Sequence, residues 1–151
     1  MASIDYKDIF ESFLGNITDY NFANLSITDS YQLMTEYLHK AVANPFVYRI
    51  FSTASLDDET QLLSFSLRRE ENEDMDKEFI ITVLAKAMVY EWIHPQVRST
   101  VLTSQFFGGK EQSHFSQANH MNSLISIEEE TLLELRRIIK DRHSFYNSYL
   151  S

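Results

Sequence analysis

Apolar residues recur along this chain at spacings of three and four, interrupted once by a spacing of two. Ile9, Phe10, Phe13, Leu14 and Ile17 fall on one helical face, and predict a first helix from Asp5 to Leu14. Asp5 suits its N-cap, and Gly15-Asn16 its C-cap. Thr28-Asp29-Ser30 opens a second helix to Ala43, with Tyr31, Met34, Leu38 and Ala41 or Val42 as its stripe. Pro45 stops it, because the residue before a proline is pushed out of the helical region.

The period changes over residues 46–69. Val47, Tyr48, Ile50 and Phe51 have strand character, and Leu63, Phe65 and Leu67 alternate with Ser64, Ser66 and Arg68. A β-hairpin insertion with Asp57-Asp58-Glu59 at its tip fits this pattern. An extension of the second helix followed by a loop is the competing arrangement.

A helix from Met75 to His94 follows, with a broad apolar surface of Phe79, Ile80, Val83, Leu84, Ala87, Met88 and Tyr90 that suits packing on two sides. Pro95 is expected to end or kink it. Val97, Val101, Leu102 and Phe106 predict a separate short helix, broken by Gly108-Gly109. The last element runs from Ser116 to Tyr146. Its seam is Met121, Ile125, Leu132, Leu135, Ile139 and Tyr146, with Glu128 and Arg142 in two seam positions. At about 1.5 Å per residue such a helix exceeds the width of a small bundle, so one end should project, with residues 145–151 as the expected tail. The fold class predicted is mainly α: a small helical bundle with a long C-terminal helix and the possible hairpin insertion, forming a single domain over residues 1–151.

Composition narrows the chemistry. With 151 residues, 44% hydrophobic content, 11 Phe and 8 Tyr, the chain can bury a core. It has no cysteine, hence no disulfide, thiol nucleophile or Cys-ligated zinc. Three Gly and two Pro are few for a β-sandwich or barrel. Asp5, Asp8 and Glu11 are unlike the basic start of a signal peptide. The stretch Phe79 to Ile93 is too short and too charged to span a bilayer, so assembly in a cytoplasm and no membrane partner are expected.

The net charge of −9 opposes a broad grip on nucleic acid. It is unevenly spread: residues 1–74 carry 13 acidic and 5 basic side chains, whereas Arg136, Arg137, Lys140 and Arg142 cluster near the chain end. That cluster either complements a helix C-terminal dipole or docks on an acidic partner. Phe145, Tyr146, Tyr149 and Leu150 beside it either cap the chain's own bundle or supply interface area.

The five histidines, His39, His94, His114, His120 and His143, lack the close spacing of a metal site, although Glu36 and His39 are neighbours on a helix. Gly108-Gly109-Lys110 lacks the spaced glycines of a phosphate loop, and no nucleophile elbow occurs. The residues therefore assign no catalytic, cofactor-binding or metal-binding position. A small helical metal-dependent enzyme would need His39, His114 or His120 to converge with carboxylates.

Three patches carry a resemblance. Asp5-Tyr6-Lys7-Asp8-Ile9-Phe10-Glu11-Ser12-Phe13-Leu14 followed by Ile17-Thr18-Asp19-Tyr20, then Ala87-Met88-Val89-Tyr90-Glu91-Trp92-Ile93, then Phe115-Ser116-Gln117-Ala118-Asn119-His120 stand in this order along the chain. Together they resemble small neck proteins, head-to-tail connectors or adaptors, of tailed phages of Gram-positive bacteria. The resemblance implies a non-enzymatic virion protein that forms a homo-oligomeric ring, usually a dodecamer, between portal and tail components and lines the DNA channel. Portal and neck or tail proteins would be its partners, with genome DNA passing nearby without sequence-specific binding. Arg136, Arg137, Lys140, Arg142, Phe145, Tyr146, Tyr149 and Leu150 are the candidate partner-binding residues. A tail-completion or baseplate protein of the same kind of particle is the alternative.

Overall fold

The computed structural model describes residues 2–17, 27–106 and 111–150, with side chains described at 2–17, 30–98, 122 and 124–142. Its described part is mainly helical, with one small antiparallel sheet. The order is β1 (Ala2–Asp5), α1 (Tyr6–Asn16), α2 (Ile27–Ala43), α3 (Pro45–Tyr48), β2 (Phe51–Asp57), β3 (Leu62–Leu67), α4 (Glu73–Phe106) and α5 (Glu111–Leu150).

The alternation of β3 sets the sheet. Leu63, Phe65 and Leu67 are buried, while the residues between them face outward only partly covered. β3 is the central strand, with β1 on one side and β2 on the other. Ile4 stands opposite Leu63 in β1, and Leu56 opposite Leu63 in β2. β1 corrects the sequence expectation at the chain start. Asp5 ends a strand and holds the N-cap position of α1 as expected, but its side chain makes no capping hydrogen bond. Gly15 and Asn16 continue α1 instead of capping it, and Leu14 is exposed.

A second correction concerns Pro45. It stops α2 and also starts α3, where its fixed φ and missing N–H suit the first helical position. Asn44 caps this turn, its side chain accepting from the Phe46 N–H at 2.9 Å. Val47 and Tyr48, expected in a strand, therefore lie in a short helix, and the strand begins at Phe51. The link from β2 to β3 is tightened by Asp57, whose carboxylate accepts the Glu59 and Thr60 N–H groups, and by Gln61 at φ 56°.

α4 is central and touches α1, α2 and α5. Ile80, Val83, Leu84, Ala87 and Met88 are fully buried, and pack with Ile9, Phe10 and Phe13 of α1, Leu38 and Ala41 of α2, the β3 face, and Leu135 of α5. Pro95 does not end the helix. α4 is one helix of 34 residues, and it absorbs the predicted short helix of residues 97–106. Proline removes one backbone donor here, but α5 lies against this turn. His94 Nδ1–H donates to Glu128 Oε1 at 2.8 Å, Ile93 and Val97 pack on Leu124, and the Gln96 side chain donates to the Trp92 carbonyl.

α4 and α5 run antiparallel, as the cross-links Asp76–Arg142, Lys86–Glu134 and His94–Glu128 require. The buried row of α5 is Leu124, Thr131 and Leu135, with Glu128 and Arg142 also in the seam. The expected Leu132 is only half-buried, because the seam lies on the neighbouring side of the helix, where Thr131 faces α4. Gly108-Gly109, the proposed break before α5, falls outside the described residues.

Candidate functional site

Three elements build a groove at one edge of the molecule. α3 contributes Phe46, the following turn contributes Arg49 and Ile50, and α5 contributes Arg136, Ile139 and Lys140. The groove is open, with a volume of about 350 Å³. Arg136, Ile139 and Lys140 reach it together because residues three and four apart share a helix face. The Arg136 guanidinium lies 4.4 Å from the Phe46 ring centroid, a cation–π stack. Stacking fixes the plane of the guanidinium while leaving its N–H edge available to an acceptor.

The predicted basic cluster is thus divided. Arg136 and Lys140 line the groove. Arg137, one residue along, points elsewhere and is exposed. Arg142 faces the body: its guanidinium donates to Asp76 Oδ1 and to the Arg69 carbonyl, both at 2.8 Å, and stacks 4.3 Å over Phe79. Asp76 also accepts the Glu71 N–H, so its carboxylate is well used inside the protein. Arg142 is a clasp between α5 and the start of α4. Phe145, Tyr146, Tyr149 and Leu150 lie on the helical backbone of α5, but their side chains are outside the described residues, as are those of His114, His120 and His143.

Sequence reasoning missed Phe46, Arg49, Ile50 and Ile139 as groove residues. A strand over residues 46–51 would place Phe46 and Arg49 on opposite faces. The turn of helix that Pro45 starts brings them to the same side, and the Asn44-Pro45 pair was the available signal.

A second polar cluster joins α1, α2 and the β2–β3 turn. The buried Tyr6 hydroxyl donates to Asp58 Oδ1 at 2.7 Å, and His39 Nε2–H donates to both Asp58 oxygens at 2.8 and 3.0 Å. Burial, and then the Asp58 acceptor, push the Tyr6 phenol well above its ordinary value. The hydrogen bonds from Tyr6 and His39 hold the Asp58 carboxyl below the usual range. An open cleft beside it is lined by Gln32, Thr35, Glu36, His39, Lys40 and Asp58. His39 pairs with Asp58, not with Glu36. His94 pairs with Glu128 and stacks on Tyr90. Among the described residues, no three His, Asp or Glu side chains are placed to hold a metal ion. No helix among them is long and apolar enough to cross a membrane. No family model, curated protein or solved structure matches the chain.

Proposed function

We propose that this chain is a structural component of a tailed-phage particle, a non-enzymatic neck adaptor that joins a ring between portal and tail components. The observation that carries this reading is the α4–α5 pair. Its helices of 34 and 40 residues are about 51 and 60 Å long at 1.5 Å per residue, longer than a body built on strands of four to seven residues needs. Two of the three patches that resemble neck proteins lie on this pair: Ala87–Ile93 where α4 leaves the main core, and Phe115–His120 in the first turns of α5. An elongated helical hairpin on a compact body can bridge neighbours on two levels of a ring. The acidic bias of residues 1–74 suits a surface near DNA that must let phosphates slide past without adhering.

The test is the place of the chain in the particle. Gold-labelled antibody against the chain, imaged on purified virions by electron microscopy, is expected at the vertex between head and tail. Label along the tail or at its distal end would favour the tail-completion or baseplate reading, and absence of label from intact and disrupted particles would overturn both.

A further inference from the structure

We propose that the groove between α3 and α5 is a docking site for an acidic protein segment that inserts an apolar side chain between its carboxylates. Arg49, Arg136 and Lys140 line the groove, and among the described residues no carboxylate does, in a chain where acidic side chains outnumber basic ones 22 to 13. Among the described residues, none of these three cations is paired with a carboxylate. By contrast Lys7, Lys77, Lys86 and Arg142 each have one. The cationic character continues past Ile50, which also lines a small cleft with Arg68.

The floor selects the class of anion. Phe46, Ile50 and Ile139 form an apolar surface between the cations, and water gains nothing from wetting it. A phosphate backbone would satisfy the cations and leave that floor uncovered. A segment alternating Asp or Glu with Leu or Phe covers both. Arg136, already stacked on Phe46, meets a carboxylate with little further ordering. The volume of about 350 Å³ accommodates a large side chain with flanking carboxylates. This inference rests on the assembly reading in one respect, that the occupant is a protein.

The test uses the full chain and a fluorescein-labelled peptide, Glu-Asp-Glu-Leu-Phe-Glu-Asp-Leu-Glu, followed by fluorescence anisotropy. Saturable binding is expected, weakening several-fold between about 50 and 200 mM salt as the charges are screened. The Arg136→Glu/Lys140→Glu variant is expected to bind roughly tenfold or more weakly, and Arg136→Glu alone several-fold more weakly, whereas Arg137→Glu, the same single charge reversal outside the groove, stays within about twofold. Peptides with Gln and Asn for Glu and Asp, or with Ala for Leu and Phe, are each expected to lose roughly tenfold. Melting curves check that each variant is folded, and Arg136→Gln replaces the double variant if that one is not. Equal binding of the uncharged peptide, an equal loss in Arg137→Glu, displacement of the peptide by duplex DNA at matched charge, or self-association of the chain in place of peptide binding would each overturn the proposal. Its failure is distinct from that of the assembly reading: a flat titration leaves the place of the chain in the virion unchanged, and absence from the virion leaves the titration unchanged.

Discussion

Around β3 and the inner half of α4, side chains from all eight elements meet in one cluster. Phe13, Leu38, Val47, Leu63, Phe65, Leu84, Met88 and Leu135 are all closed to solvent there. Farther along α4, Ile93, Val97 and Leu124 form a second cluster, flanked by Trp92 and Ile125 and fastened by His94 to Glu128. The body is packed from several directions, whereas the described residues of the outer pair, Ile93, Val97 and Leu124, meet along the seam between two helices. In the body, a removed methyl group leaves a hole that many rigid neighbours surround, so little collapse can relieve it. Along a seam, two helices can close a gap by a small shift, and local opening costs less than global unfolding.

The largest expected effect compares the two regions directly. Leu84→Ala should lower unfolding stability by about 2–5 kcal/mol, and Leu124→Ala by less, about 1–2 kcal/mol, measured by urea denaturation. Equal losses would show that the outer pair belongs to the same cooperative unit as the body. Hydrogen exchange gives the same comparison in the native protein, with amides near Leu124 expected to exchange faster than those near Leu84.

The Asp76–Arg142 clasp lies where α5 meets the start of α4. Both side chains are largely covered, 7% and 13% exposed, so removing Arg142 leaves a covered Asp76 side chain without its cationic partner. Arg142→Ala should therefore cost about 2–3 kcal/mol by thermal or chemical denaturation, although Asp76 keeps the Glu71 N–H. Lys7→Ala breaks a largely exposed pair with Glu11 and should change stability by at most about 0.5 kcal/mol. If the two variants behave alike, Arg142 is free to turn outward, as its sequence position among basic residues had suggested.

The contrast between regions also explains how much of the molecule was legible in its sequence. The face of α1 through Ile9, Phe10 and Phe13, the α2 stripe through Met34, Leu38 and Ala41, and the broad apolar surface of α4 are local patterns that burial follows closely. β1 was hidden because Ala2–Asp5 is a strand only by virtue of pairing with β3, sixty residues away. Pro45 and Pro95 show the limit of local rules from opposite sides. One begins a new turn because Asn44 caps it. The other is carried inside α4, where α5 braces the same turn. Glu128 and Arg142 were visible as polar residues in an apolar row, but His94 and Asp76, their partners, belong to a different helix. The groove was half legible: Arg136 and Lys140 share a helical face by spacing alone, whereas Phe46 and Arg49 join them only through the tertiary placement of α3.

The smallest expected effect concerns the body's own polar link, Tyr6–Asp58–His39. Asp58 titrates below the ordinary carboxylate value in the folded state, so its contribution is present above the unfolded value of about 3.9 and is lost as pH falls through the lower folded value. Its side chain is half-exposed, so solvent screens the gain and the slope should be shallow. Asp58→Asn still offers Tyr6 an acceptor but carries no charge. Its melting temperature should lie slightly below that of the parent near pH 6, and the two curves should converge below about pH 4. Tyr6 acts on the alkaline side with the opposite sign. Its raised phenol value makes its stabilisation complete below about pH 10 and lost as pH rises further, a loss that Tyr6→Phe should abolish. Parallel curves for parent and Asp58→Asn through the acid range would mean that the turn is held by Asp57 and the sheet alone. The stability of the body would then rest on its apolar packing, with its polar link contributing position alone.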